Sequence, residues 1–339
     1  MPDVRIAFDE LARVMTDVLV RLGLDEDRAD ACATLFAEAS RDGVASHGLN
    51  RFDRFVTTIR NGSVDVRARA ECVAARGGLE RWNGNRGPGN LNAQECMQRA
   101  ITLAHEHGLG AVALGNTNHW MRGGSYGWQA AEAGVIGICW TNTLPNLPPW
   151  GSSIPLLGNN PLVMAVPRRD GHVVLDMAMS QFSFGALASH RTRHDELPVV
   201  GGFDSSGALT RDPGAIEASG RPLPIGFWKG SGLALLLDIM GVLLSGGLAT
   251  HQIPADPARE TGMSQVFIAL DAAAVTPGDA TASSMDLIVD RIIDQLHGAA
   301  SAAGESVRYP GERTLEMRRR SLAEGVPVDA AVWRAVQAL

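Results

Sequence analysis

The run Gly110-Ala-Val-Ala-Leu-Gly-Asn-Thr-Asn-His-Trp-Met-Arg-Gly-Gly-Ser-Tyr-Gly-Trp128 decides the fold class. Gly110–Leu114 is short and continuously apolar, and reads as a buried strand. A polar loop and a short helix follow, and Val135–Thr141 reads as the next strand. Upstream, Met97, Ala100, Ile101 and Ala104 recur at helical spacing behind Asn90, a suitable N-cap, and Gly108 stops that helix. Helices alternating with strands indicate a mixed α/β domain. The loop places Asn118, His119 and Arg122 at the C-terminal end of a strand, where sites in such sheets gather. A polar surface turn would carry the same residues.

Towards the N-terminus, residues 62–90 read as short strands and turns, with Asn-Gly at 61–62 and 83–84. Before them the chain is helical. Phe8, Leu11, Met15, Val18, Leu19 and Leu22 form one amphipathic face ended by Gly23, and Asp25 can cap a second helix. Towards the C-terminus, Leu162–Val166 and His172–Met177 form a hairpin around Asp170-Gly171, which delivers Asp176 after an apolar run. Residues 200–224 read as a long loop or lid, Gly230–Ala249 as a buried helix, Val266–Leu270 as a strand, and 283–339 as helix interrupted by a loop at Arg308–Arg313.

Composition narrows the function. Of 339 residues 45% are hydrophobic and 20% charged, which suits a globular protein with a sizeable core. A net charge of −7 argues against a nucleic-acid partner. Cys32, Cys72, Cys96 and Cys139 are widely spaced and read as reduced thiols of a cytoplasmic protein. Charges in the first twenty residues leave no signal-peptide core, and Asp238 within 230–249 argues against a membrane span. His190 and His194 have a ligand-like i, i+4 spacing, but no third ligand is evident and Arg191 and Arg193 would repel a cation, so no metal site is expected.

The candidate chemistry lies in Ser46-His47-Gly48-Leu49-Asn50-Arg51-Phe52. Arg51 follows His47 by four residues, so one helical turn would put both on one face. Histidine can donate a proton near neutral pH, and arginine grips a carboxylate bidentately. A helix start followed by a solvated arginine would look the same. Lys229 is the only lysine among 30 basic residues, as if one position required a compact ammonium. Neither G-x-G-x-x-G after a strand nor G-x-x-x-x-G-K-[ST] occurs, so any nucleotide is held by other means.

Ser46-His47-Gly48-x-x-Arg51, Asn118-His119-Trp120, Gly158-Asn-Asn-Pro161, Leu175-Asp-Met-Ala-Met-Ser180 and Lys229-Gly-Ser-Gly-Leu233 resemble the malate/L-lactate dehydrogenase family, which is distinct from the Rossmann dehydrogenases. Asn118–Ala131, Ile136–Asn142, Pro148–Gly151, Gly201–Asp204 and Trp228–Gly232 are most similar to its diketogulonate-reducing branch. The resemblance runs through nearly the whole chain. It implies a non-Rossmann mixed sheet over residues 86–275 that binds NAD(H) or NADP(H). It also implies a helical unit built from residues 1–85 and 276–339, and a homodimer with the site near the subunit interface. The substrate implied is a 2-oxo acid, with His47 as proton donor. The family's cofactor segments fall on His172, Val173, Val174, Leu175, Asp176, Met177 and Ala178, on Trp228 and Lys229, and on Gly311, Glu312 and Arg313. To these we add Arg51 as carboxylate clamp, His119 as a second substrate contact and Asp176 as an orienting group. Ala45 and Leu144–Leu147 depart from the branch and could alter the substrate pocket. A lysine Schiff-base enzyme using Lys229, a metal hydrolase and a non-catalytic sugar-acid binding protein are the rival readings.

Overall fold

The computed structural model describes residues 3–276, 282–300 and 306–339. The terminal segments form one body. Strand β1 (Asp3–Ile6) leads into helices α1 (Phe8–Arg21) and α2 (Glu26–Arg41), a 3-10 turn at Ala45–His47, and α3 (Leu49–Arg60). Leu11, Met15, Val18 and Leu19 of α1 are buried, as their spacing requires. Their core also takes in Val326, Val328, Trp333 and Val336 from the far end of the chain. Asp25 occupies the N-cap of α2 but makes no side-chain capping bond.

Between these segments stands a seven-stranded sheet. Its first two strands are β2 (Glu71–Arg76) and β3 (Leu79–Asn83), so a boundary at 85 cuts too late: the sheet has begun by residue 71. Helix α4 (Gly89–His107) starts one residue before Asn90, behind Pro88. The Asn90 amide is not a cap. It is buried and donates to the Cys32 carbonyl and Sγ on α2, a tertiary use that local spacing does not reveal. Strand β4 (Leu109–Asn118) is longer than its apolar run, since Thr117 and Asn118 are also buried and paired. Then come α5 (Gly124–Glu132), β5 (Ile136–Thr141), the short pair β6 (Pro145–Leu147) and β7 (Leu157–Gly158), and the expected hairpin β8 (Leu162–Val166) and β9 (Val173–Met177).

Residues 200–224 are not an open lid. Helix α6 (Phe184–Arg193), strands β10 (Gly202–Phe203) and β11 (Leu209–Thr210) and helix α7 (Pro213–Ser219) close over a small core of Leu187, Leu197 and Ile216. His194 has left-handed backbone at the end of α6 (φ 59°), so it does not share a helical face with His190. Helix α8 (Trp228–Ser245) is followed by β12 (Thr261–Leu270), α9 (Ala282–His297), α10 (Glu312–Glu324), β13 (Val326–Asp329), which pairs with β1, and α11 (Ala330–Gln337).

The sheet order is β2-β3-β4-β12-β5-β8-β9, with β3 and β4 parallel and the other pairs antiparallel. Side chains alternate across it. Val112, Leu114 and Phe267 pack under α4 and α5, whereas Ala113 and Val266 face α8. Helix α8 is not buried as expected. Ala234 and Leu237 pack on the sheet, but Leu236 is 54% and Leu243 71% exposed. Asp238 clamps its surroundings, accepting from Asn142 Nδ2 (2.8 Å) and Thr250 N (3.1 Å). By length and composition alone α8 could cross a membrane.

Candidate active site

A cleft of about 710 Å³ lies between the terminal helices and the sheet. Its walls come from the 3-10 turn, α3, the loop after β4, the start of α5, strand β9 and the loop at Pro310-Gly311. His47 and Arg51 both line it, but they do not share a helix. The 3-10 turn ends at Gly48, whose backbone lies against α2. A Cβ there would come within 2.7 Å of Ser40 N and 2.8 Å of the Phe36 carbonyl oxygen, so only glycine seats the turn. Leu49 N donates to Ser40 Oγ (2.8 Å) and starts α3.

The His47 ring stacks on His119, with centroids 6.0 Å apart and planes 22° apart. Ser46 Oγ lies 3.1 Å from His47 Nδ1. Met121 N donates to His119 Nδ1 (3.0 Å), so a neutral His119 carries its hydrogen on Nε2. Burial, followed by the charges of Arg51 and Arg122, pulls His47 down to about 4. Burial, Arg51, His47 and Arg54 also lower His119. His47 is therefore neutral at physiological pH, and a bound anion would favour its protonated form.

Two buried carboxylates set the guanidiniums. Asp42 accepts from Arg122 (2.6 Å), Arg318 (2.7 and 2.9 Å) and Arg41 (2.8 Å). Burial works against its charge, but the Arg318 bonds and the charges of Arg122 and Arg41 hold it well below the usual carboxylate range. Glu260 faces Arg51 at 3.8 Å and accepts from Leu144 N at 3.2 Å. Burial raises Glu260 despite Arg51, and burial and then Arg54 bring Arg51 down to about 10 despite Glu260. Desolvation thus outweighs the attraction on both sides of this loose pair. Asp176 accepts from Gly124 N at the start of α5 (2.8 Å). Burial raises it, while Arg122 and that bond pull the other way.

His47, Arg51, His119, Val174, Leu175, Asp176, Ala178 and Gly311 share the cleft. His172 packs its ring on Trp128, which lines the cleft, and accepts from Arg168 N. Val173 and Met177, their neighbours on β9, are not among the lining residues. Glu312 accepts from Tyr309 N and meets His297, and Arg313 is exposed. Trp228 and Lys229 stand exposed at the start of α8, outside this cleft. Lys229 has no ion-pair partner among the described residues. Of the departures from the branch, Leu144 and Asn146 line the cleft and Ala45 does not.

Sequence reasoning missed Arg54, Asp42 and Glu260. Arg54 is three residues after Arg51 on α3, and helical spacing could have found it. Glu260 reaches the site from the loop before β12, and nothing local marks it. Among the described residues, no group of three or more His, Cys, Asp or Glu is placed to hold a metal.

On this mixed sheet one cleft brings together two histidines and several guanidiniums, groups suited to proton transfer and to holding an anion. The malate/L-lactate dehydrogenase family model matches residues 6–337, and the chain belongs to that family of oxidoreductases. Proteins named 2,3-diketo-L-gulonate reductase from Escherichia coli and Citrobacter koseri are each 44% identical over 336 residues, covering 99% of this chain and 100% of theirs. A sulfolactate dehydrogenase from Methanocaldococcus jannaschii superimposes with a TM-score of 0.89 at 26% identity, over 98% of this chain and 95% of that one. A putative malate/lactate dehydrogenase from E. coli gives 0.90 at 27%, over 98% and 93%.

Proposed function

We propose that the protein reduces a 2-oxo sugar acid, foremost 2,3-diketo-L-gulonate to 3-dehydro-L-gulonate, using NADH or NADPH. The observation that carries this reading is His47 stacked on His119 beside Arg51, Arg54 and Arg122 in one cleft, in a chain 44% identical to proteins of that name. Full-length similarity supports the substrate, and Arg51 and Arg122 supply a counter-charge for its carboxylate.

The cleft fits a nicotinamide cofactor along β9. Pro310 O accepts from Val174 N (2.8 Å), and the left-handed Gly311 (φ 99°) lies flat on that strand, where a Cβ would come within 3.1 Å of Val174 N. Val174–Asp176, Gly311 and Trp128 would hold the cofactor, and bound nicotinamide supplies the hydride. Asp176, fixed by Gly124 N, presents a carboxylate to hydroxyl groups.

Arg51 holds the substrate carboxylate and aligns the carbonyl. The arriving anion offsets Arg51 and Arg122, raises the proton affinity of His47 and lets it take a proton from solvent. His47 then gives that proton to the carbonyl oxygen as negative charge develops there. His119, its tautomer fixed by Met121 N, donates from Nε2 to the same end of the substrate. The protein acts in the cytoplasm, and as a homodimer; the exposed apolar face of α8 supports the second of these. Nicotinamide absorbance followed over 2,3-diketo-L-gulonate, pyruvate and oxaloacetate tests the substrate. Highest kcat/KM for the sugar acid is expected, and a preference for either short acid would replace it with a malate- or lactate-type assignment.

A further inference from the structure

A side chamber opens off the cleft at Arg51, away from β9. Phe55, Val64 and Met121 make up much of its wall beside Arg54, Asn118 and Glu260, and its volume of about 20 Å³ is room for one water-sized group. Three polar groups of this wall have capacity left. Asn118 is 3% exposed, and its Nδ2 donates to the Arg86 and Gly87 carbonyl oxygens (2.7 and 2.9 Å). That fixes the amide and leaves Oδ1 a buried acceptor with no partner among the described residues. Glu260 meets Arg51 only at 3.8 Å, beyond hydrogen-bond range. Arg54 has no ion pair among the described residues, although its charge acts on Arg51, His119 and Glu260. A carboxylate needs donors only. A wall with a buried acceptor, a buried carboxylate and an open guanidinium matches hydroxyl groups, which both donate and accept.

We propose that Arg54, Glu260 and Asn118 form the specificity pocket for the far end of the substrate, selecting a polyhydroxylated acid over a short one. The proposal rests on the reductase reading and extends it to the residues that choose the substrate. With the carboxylate at Arg51 and the carbonyl at His47, the chamber admits one hydroxyl group of the tail. A short acid leaves Asn118 Oδ1 without a donor and Glu260 with only that of Leu144 N, and a site built to bond a hydroxyl discriminates strongly against ligands lacking it.

The test is calorimetric titration of L-gulonate and L-lactate into the full-length wild type, Arg54→Met and Glu260→Gln. These acids share a carboxylate and a 2-hydroxyl and differ in the tail. Wild type should bind gulonate more tightly. Arg54→Met, on an exposed position that preserves the fold, should lower the gulonate-to-lactate affinity ratio about 10- to 100-fold, the scale of one charge-assisted hydrogen bond. Glu260→Gln should move the ratio the same way. Equal weakening of both acids by Arg54→Met would place Arg54 at the shared carboxylate and overturn the proposal, as would an unchanged ratio or a wild type that binds neither acid. Because binding is read without turnover, selective gulonate binding by a protein that oxidises neither NADH nor NADPH would defeat the reductase reading alone. An active reductase with an unchanged ratio would defeat the pocket alone.

Discussion

Burial and the charges of Arg51 and Arg122 pull His47 down to about 4, yet reduction needs it protonated. Well above that value, each unit rise in pH lowers the protonated fraction tenfold. The kcat/KM for reduction, which reports the free enzyme, should therefore fall about tenfold per unit between pH 6 and 8. A bound carboxylate raises the histidine, so kcat should stay level to a higher pH than kcat/KM. Rate profiles in both directions would check this, and a kcat/KM flat across that range would remove His47 as the group that titrates. Arg51→Lys keeps the charge but loses the fork, so KM for the 2-oxo acid should rise about tenfold or more with cofactor affinity unchanged. Steady-state kinetics with a fluorescence titration of NADH would show it. Equal losses would place Arg51 at the cofactor. His47 and Arg51 were legible because a short motif carried them. Glu260 and Asp42 were not, because the residues they serve are distant in sequence and meet them only in the fold.

At the scale of elements, the joint between the 3-10 turn and α3 depends on a backbone approach that only Gly48 permits. Gly48→Ala should destabilise the protein by about 1–3 kcal/mol, the range for overpacking a tight contact, and should lower kcat more than the loss of folded protein explains. Denaturant unfolding and active-site titration would check both, and wild-type values for each would mean that α2 yields without cost. The hairpin of β8 and β9 was readable because apolar runs flank Asp170-Gly171. Asn90 was misread as a cap because its side chain bonds across to α2. The lid expected over 200–224 failed for a different reason: Gly, Asp, Ser and Pro mark turns, but not whether the turns pack on a core, here Leu187, Leu197 and Ile216.

Across the molecule, hydropathy identified α8 as apolar but could not say what covers it. In the single chain Leu235, Leu236, Ile239 and Leu243 are exposed, and Trp228 and Lys229 at the same helix lie outside the cleft. The proposed homodimer would cover this face and, with it, the proposed cofactor contacts Trp228 and Lys229. Leu243→Glu should accordingly shift the protein to monomers in sedimentation and weaken NADH binding in step. A monomer with undiminished NADH affinity would detach Trp228 and Lys229 from the cofactor.

The central claim is that His47 protonates a 2-oxo acid during nicotinamide-dependent reduction. Its most direct test is the rate of NADH and NADPH oxidation with 2,3-diketo-L-gulonate, wild type against His47→Ala, both shown to be folded and to bind cofactor. The account predicts turnover by the wild type and a loss of about 10²–10⁴-fold in the variant, the usual worth of a positioned acid. Turnover by His47→Ala within a few-fold of wild type would contradict it.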